Sequence, residues 1–261
     1  MGLAAISYDS VGVLKSFSER KHITFPLLSD PDSKIIRSFG ILNATVDKSS
    51  PFYGIPNPGT YVLDSKGKVV AKYFEDDYKE RDTASAILAR QFGLPTTAAH
   101  STTETKQLSI STSASSATVA TGHHVALVMD IDLKPGMHIY APGVKGYIAV
   151  DWQMSDSGAP KVFPVSYPQG KMLHLDAIGE TVPVYFKHVR FVRDIAIGSD
   201  AKVKALLDQK GEFTVQGTLR YQACDETKCY IPASAPVQWT FRYQDLDRQR
   251  VAPELRRKGL N

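Results

Sequence analysis

Tyr221-Gln222-Ala223-Cys224-Asp225-Glu226-Thr227-Lys228-Cys229-Tyr230-Ile231-Pro232 holds both cysteines of the 261-residue chain, with four residues between them. On its upstream side Phe213, Val215, Leu219 and Tyr221 alternate with Thr214, Gln216, Thr218 and Arg220. On its downstream side Val237, Trp239, Phe241 and Tyr243 alternate with Gln238, Thr240, Arg242 and Gln244. A period of two with one dry and one wet face is the pattern of antiparallel strands in a sandwich. Earlier in the chain, Val125, Leu127, Met129, Ile131 and Leu133 repeat it, and a short helical turn at 201–209 interrupts the set. The cysteine loop therefore joins two well-marked strands, and a rigid sheet presents it.

Three chemistries suit such a pair: a structural disulfide, a redox dithiol, or half of a metal site. Structural zinc wants four Cys or His ligands, usually as two pairs of comparable spacing. His123-His124 is the one candidate second pair, and adjacent residues of a strand point to opposite faces, so no metal is expected. A short loop closed by a disulfide removes little unfolded-state entropy, which favours redox work over a purely structural bond. The candidate catalytic residues are thus Cys224 and Cys229. Asp225 and Glu226 disfavour a thiolate at Cys224, and Lys228 stabilises one at Cys229. The better thiolate is also the better leaving group, which by itself directs attack to Cys224. Position decides otherwise: Tyr221 belongs to the apolar face, so Cys224 lies where the strand enters the fold, and Cys229 lies across the loop. Cys229 is expected to form the mixed disulfide. His138, His174 and His188 are unconnected in sequence and read as surface or strand polar residues rather than general bases; Trp152 and Trp239 read as core.

The words around the pair resemble a known family. Tyr221-Gln222-Ala223-Cys224 and Cys229-Tyr230-Ile231-Pro232 look like the cysteine loop of the N-terminal domain of the thiol:disulfide interchange protein DsbD. Lys134-Pro135-Gly136-Met137-His138-Ile139-Tyr140 and Pro236-Val237-Gln238-Trp239 extend the likeness over roughly 108–244. The resemblance implies an immunoglobulin-like sandwich that passes electrons through one dithiol, with the second cysteine meeting partner proteins and an aromatic cap shielding the pair. Met137-His138-Ile139-Tyr140 is aromatic enough for that duty, although no residue match identifies the cap.

The first 95 residues follow another pattern. Helical and strand segments alternate from Leu3 to Gly93, which argues for an α/β layer fold. Leu3 to Tyr8 suits a buried strand, Asp9 or Ser10 a helix cap, and Asp30 to Gly40 a short helix with cap and stop. Thr60–Asp64 and Lys68–Tyr73 read as a hairpin, and a last helix starts at Asp82 or Thr83 and stops at Gly93, with Pro95 beyond. Ala5-Ile6-Ser7-Tyr8-Asp9, Phe25-Pro26-Leu27-Leu28-Ser29-Asp30 and Pro58-Gly59-Thr60-Tyr61-Val62-Leu63-Asp64 resemble the later part of a redoxin of the AhpC/TSA peroxiredoxin type, a thioredoxin-like fold. That resemblance implies a cis Pro58. It also implies a reactive cysteine on an early helix, upstream of Met1, and residues 1–223 contain no cysteine. No peroxidase activity is expected from this half, since without a thiolate nothing attacks peroxide. The expectation is an N-terminally shortened redoxin, with a non-catalytic binding scaffold as the other reading.

The organisation expected is two domains: a truncated thioredoxin-like domain at 1–95, a linker at 96–107, an all-β immunoglobulin-like sandwich at 108–244, and a solvated basic tail at 245–261. A formal charge of +4, from 31 basic and 27 acidic residues interspersed, is too mild to argue for nucleic acid. No apolar run reaches the roughly 18 residues that a membrane span needs, and the start lacks the basic and apolar regions of a signal peptide. Compartment is therefore not written in the chain; the resemblance implies a periplasmic or other extracytoplasmic setting. The function expected is thiol-disulfide exchange through Cys224 and Cys229, relaying electrons to or from a thioredoxin-like, DsbD-type or peroxiredoxin-type partner. No cofactor is required, because the electrons travel through mixed disulfides. The alternative is a sandwich interaction module with a structural disulfide and a non-catalytic redoxin scaffold.

Overall fold

The alternating stretches around the cysteines do pair as strands in a computed structural model, which describes residues 2–74, 79–93, 101–175, 179–247 and 249–256. The chain divides into two compact units, Met1–Tyr78 with Asp247–Asn261, and Lys79–Leu246.

The first unit is short and mixed: β1 (Ala5–Ser7), α1 (Val11–Lys21), β2 (Leu27–Ser29), α2 (Lys34–Ser38), β3 (Gly59–Leu63) and β4 (Val69–Phe74). β1 and β2 pair in parallel, and β3 and β4 form the expected hairpin. Ser10 caps α1 by accepting from the Val13 amide, and the Asp30 carboxylate accepts from the Lys34 and Ile36 amides at 2.9 Å each, fixing the start of α2. The expected cis bond before Pro58 is trans.

The second unit runs β5 (Arg81–Asp82), α3 (Ala84–Phe92), β6 (Ser101–Glu104), β7 (Leu108–Ala114), β8 (Thr118–Val119), β9 (His123–Leu133), β10 (His138–Tyr140), β11 (Asp151–Met154), β12 (Pro160–Ser166), β13 (Lys171–Leu175), β14 (Glu180–Phe186), β15 (His188–Ile197), α4 (Asp200–Lys204), β16 (Glu212–Tyr221), β17 (Ala223–Cys224) and β18 (Ala233–Tyr243). One sheet has the order β12-β15-β9-β7-β6, with β5 beside β9, and the other the order β11-β16-β18-β8. Ile110, Leu127, Met129, Ile131 and Phe191 from the first meet Trp152, Val215, Leu219, Trp239 and Phe241 from the second in one buried cluster. Trp152 and Trp239 are both core, with ring centroids 5.2 Å apart, and the Trp239 indole N–H donates to the Ser113 carbonyl. A smaller sheet, β13-β14-β10-β17, carries the first cysteine.

Three boundaries differ from expectation. The last helix of the expected redoxin half, α3, belongs to the second unit, where its buried Ala86 and Ile87 face β9 and Thr83, its cap, also donates to the His124 carbonyl. Part of the expected linker is β6, which pairs with β7; its Ser101 and Thr103 hydroxyls donate to carbonyls of β18. The tail is not simply solvated where it is described, because Asp247 takes Arg20 at 2.8 Å and Lys21 at 2.9 Å. Pro95, residues 96–100 of the linker, and Arg257 and Lys258 of the tail lie outside the described residues. Among the described residues, no helix is long and apolar enough to cross a membrane.

Candidate functional site

After Tyr221, where β16 still pairs with Ala233 of β18, the chain changes partners. Ala223 and Cys224 lie antiparallel to β10, with Ile139 opposite Ala223 and His138 opposite Cys224. The Asp225 side chain makes the tight turn that follows. One carboxylate oxygen accepts from the Thr227 amide, the Thr227 hydroxyl and the Lys228 amide at 2.7–2.9 Å; the other accepts from the Tyr230 hydroxyl at 2.8 Å. An acidic side chain that folds back on its own backbone is the usual device for such a turn. The Thr227 hydroxyl first, then its amide, Tyr230 and the Lys228 amide hold the Asp225 carboxyl well below the usual carboxylate range. Asp225 thus acts on the shape of the loop, beyond the charge effect read from sequence.

The turn brings the Cα atoms of Cys224 and Cys229 to 4.0 Å, and their sulfurs are joined in a disulfide. The two ends of the bond differ. Cys224 is 1% exposed, whereas Cys229 is exposed, and Ile231, two residues further on, is 89% exposed. Lys228 lies over the Tyr230 ring at 5.1 Å, which keeps a cation at the open end of the loop.

Among the described residues, Tyr140 touches both sulfurs. Its hydroxyl stands 3.3 Å from Cys224 Sγ and 3.3 Å from Cys229 Sγ. A disulfide has no S–H, so the phenol is the donor to either one. Burial first, then Tyr147 and Glu180, push the Tyr140 phenol above its ordinary value and keep that proton in place. Tyr147 stacks on it with ring centroids 4.5 Å apart, and its own hydroxyl donates to Glu180 at 3.0 Å. Val182, Val184 and Cys224 complete the small buried cluster with Tyr140, and Leu173, Leu175 and Phe186 pack against it.

His138 stands on a strand, one of the two places expected of it, and is buried there. It is 4% exposed, on β10 between Phe186 of β14 and Cys224 of β17, and side chains directly opposite in an antiparallel ladder share a face. His174 and His188 are exposed and bonded to Thr181 and to Asp132. His138 and Tyr140, from the Met137–Tyr140 stretch considered as a shield for the pair, do neighbour the cysteines through strand pairing, whereas nothing in the sequence pointed to Tyr147, which lies on the loop after β10.

The model of the family described as thiol:disulfide interchange protein DsbD, N-terminal, matches residues 105–238, and that of the AhpC/TSA family matches residues 2–72. Two curated proteins with peroxiredoxin names, from two strains of Mycobacterium tuberculosis, are each 30% identical over 74 residues, 28% of this chain and 46% of theirs. The chain therefore spans about half the length of those relatives. Among solved structures, the N-terminal periplasmic domain of ScsB from Proteus mirabilis aligns with a TM-score of 0.39 at 14% identity, over 56% of this chain and 51% of that one. The reduced N-terminal domain of DsbD from Neisseria meningitidis aligns with a TM-score of 0.30 at 16% identity, over 46% and 82%.

Proposed function

Because the chain belongs, through residues 105–238, to the DsbD N-terminal family, we propose that its second unit is a thiol:disulfide oxidoreductase module whose reacting pair is Cys224 and Cys229. One observation carries this reading: the disulfide is buried at one sulfur and exposed at the other. An incoming thiolate must approach a sulfur in line with the bond that breaks, and Cys229 is the sulfur with room for it.

The partner's thiolate attacks Cys229 Sγ, the Sγ–Sγ bond breaks, and Cys224 leaves with the electron pair. The partner's second thiol then attacks its own sulfur of the mixed disulfide and releases Cys229. Two electrons and two protons have passed to the pair, and the partner is oxidised; the reverse sequence reduces a different protein. Tyr140 donates to whichever sulfur carries charge, where a hydrogen bond is stronger than in water. Thioredoxin-like, DsbD-type or peroxiredoxin-type protein thiols suit this surface, and an oxidised pair suits an extracytoplasmic compartment. The redoxin-like unit contributes no thiol to the reaction, since both cysteines of the chain lie in the other unit.

Equilibration against graded glutathione and dithiothreitol couples, followed by thiol trapping, tests the reading. An exchange site is expected to titrate near the thioredoxin range, at roughly −270 mV. A pair that stays oxidised below about −300 mV is structural and removes the proposal.

A further inference from the structure

The exchange reaction described above leaves one buried polar atom beside the sulfurs without a task. His138 Nε2 is inaccessible and has no hydrogen-bond partner among the described residues. Buried polar atoms are nearly always paired, and one left unpaired calls for a cause, redox chemistry among them. Its surroundings are specific. The ring meets Tyr140 edge-on at 5.7 Å and Phe186 at 5.8 Å, and Cys224 is its cross-strand neighbour. In the disulfide, Cys224 has no proton to offer and the Tyr140 phenol already donates to its sulfur. Opening the bond changes that, because Cys224 then becomes a thiol on the same face of the same sheet, with Cβ atoms about 5 Å apart for such a pair.

We propose that His138 is the proton acceptor and donor for Cys224 as the disulfide closes and opens. The inference rests on the exchange reading. In the closing direction, a partner is held on Cys229 as a mixed disulfide and Cys224 is a thiol. His138 takes the Cys224 proton, and the resulting thiolate attacks Cys229 Sγ. The Sγ–Sγ bond forms as the bond to the partner's sulfur breaks, the partner leaves with the electron pair, and the imidazolium returns the proton to it. The opening direction is the reverse, and His138 then protonates the leaving Cys224.

The role needs a neutral imidazole, and the site favours one. Burial pushes His138 below the ordinary imidazole value, with the Asp225 charge opposing. The titratable and charged groups that face it are Tyr140 on its own strand and Cys224 and Asp225 on the cysteine loop; β14 presents Phe186 and Val184, which are apolar. Asp225 is held in the turn by Thr227, Lys228 and Tyr230, so it acts on His138 through its field.

The test uses the reduced full chain, loaded at Cys229 with glutathione from glutathione disulfide, with glutathione release followed from pH 4 to 9. The wild-type rate is expected to fall in acid with a midpoint below the ordinary imidazole value of about 6.5. In His138→Phe the rate at neutral pH is expected to fall about a hundredfold, the size of a general-base contribution. Its pH limb is expected to move up to the thiol range, near 8.5. His138→Gln, which keeps a polar side chain but cannot titrate, is expected to show the same displaced limb. Wild-type rate and limb in both variants would overturn the proposal while leaving exchange intact; failure of the wild-type protein to form the adduct at all is failure of the exchange reading instead. Should His138→Phe fail to fold, the wild-type protein decides by NMR: the His138 titration is expected to differ between oxidised and reduced states, and an identical titration in both overturns the assignment.

Discussion

Tyr140 and Asp225 carry the residue-scale account, one through a proton and the other through shape. The Tyr140 hydroxyl lies 3.3 Å from both sulfurs, and in the proposed exchange it would stabilise charge on either as the bond opens. Tyr140→Phe is expected to slow opening by dithiothreitol roughly tenfold, the worth of one hydrogen bond to a charged group, with the circular dichroism spectrum unchanged. A rate equal to wild type would remove the phenol from the chemistry. Asp225 makes a pH prediction whose sign follows from its lowered pKa. A carboxyl held below its unfolded value stabilises the fold above that value, near 4, and loses the contribution as pH falls through the lower folded-state value. Protection of the Thr227 and Lys228 amides, taken relative to their intrinsic exchange rates, is therefore expected to persist at pH 4 and to be lost only in stronger acid. In Asp225→Ala both amides lose their acceptor, and low protection is expected across the whole range. At this scale the two cysteines were legible because only two exist and they share one loop. The burial of His138 was not, because nothing in its neighbours along the chain tells that β14 and β17 flank it.

Elements were legible where periodicity and caps agree, and misplaced where the partner decides. The caps of α3, Thr83 and Gly93, stand where the sequence puts them. Its packing against β9 was not visible, because an Ala and Ile face fits any apolar surface. An ion network fixes the placement: Arg90 bonds both Asp82 and Asp194, and the two aspartates would otherwise be left poorly solvated. Burial already raises the Asp194 carboxyl, against the pull of Arg90. Arg90→Ala is thus expected to destabilise the second unit by about 3 kcal/mol, as removal of one partner from a largely buried pair does, seen as a lower midpoint in urea. A midpoint unchanged from wild type would mean that apolar contacts alone hold the helix. β6 escaped the pattern for a different reason: Ser101-Thr102-Thr103-Glu104 has no apolar face, and its Ser101 and Thr103 hydroxyls donate to carbonyls of β18.

At the scale of the whole molecule, the switch from alternating helices and strands to period-two alternation announces an α/β segment followed by a sandwich, and the AhpC/TSA and DsbD N-terminal family models fall on the two parts in that order. The division of the chain into units lies earlier than composition suggested, because the segment from Lys79 onward finds its contacts on β9. All sulfur chemistry is assigned to the second unit. Thiol-dependent peroxide consumption is expected to be absent from the Cys224→Ser/Cys229→Ser double variant, and turnover surviving there would reveal a nucleophile in the first unit. The central claim is that Cys229 meets the partner and Cys224 resolves. Its most direct measurement is trapping with a thioredoxin-like partner that lacks its resolving cysteine, using Cys224→Ser and Cys229→Ser separately. The account predicts a stable mixed disulfide through Cys229 in Cys224→Ser and none in Cys229→Ser; a stable adduct through Cys224 that forms in the absence of Cys229 would contradict it.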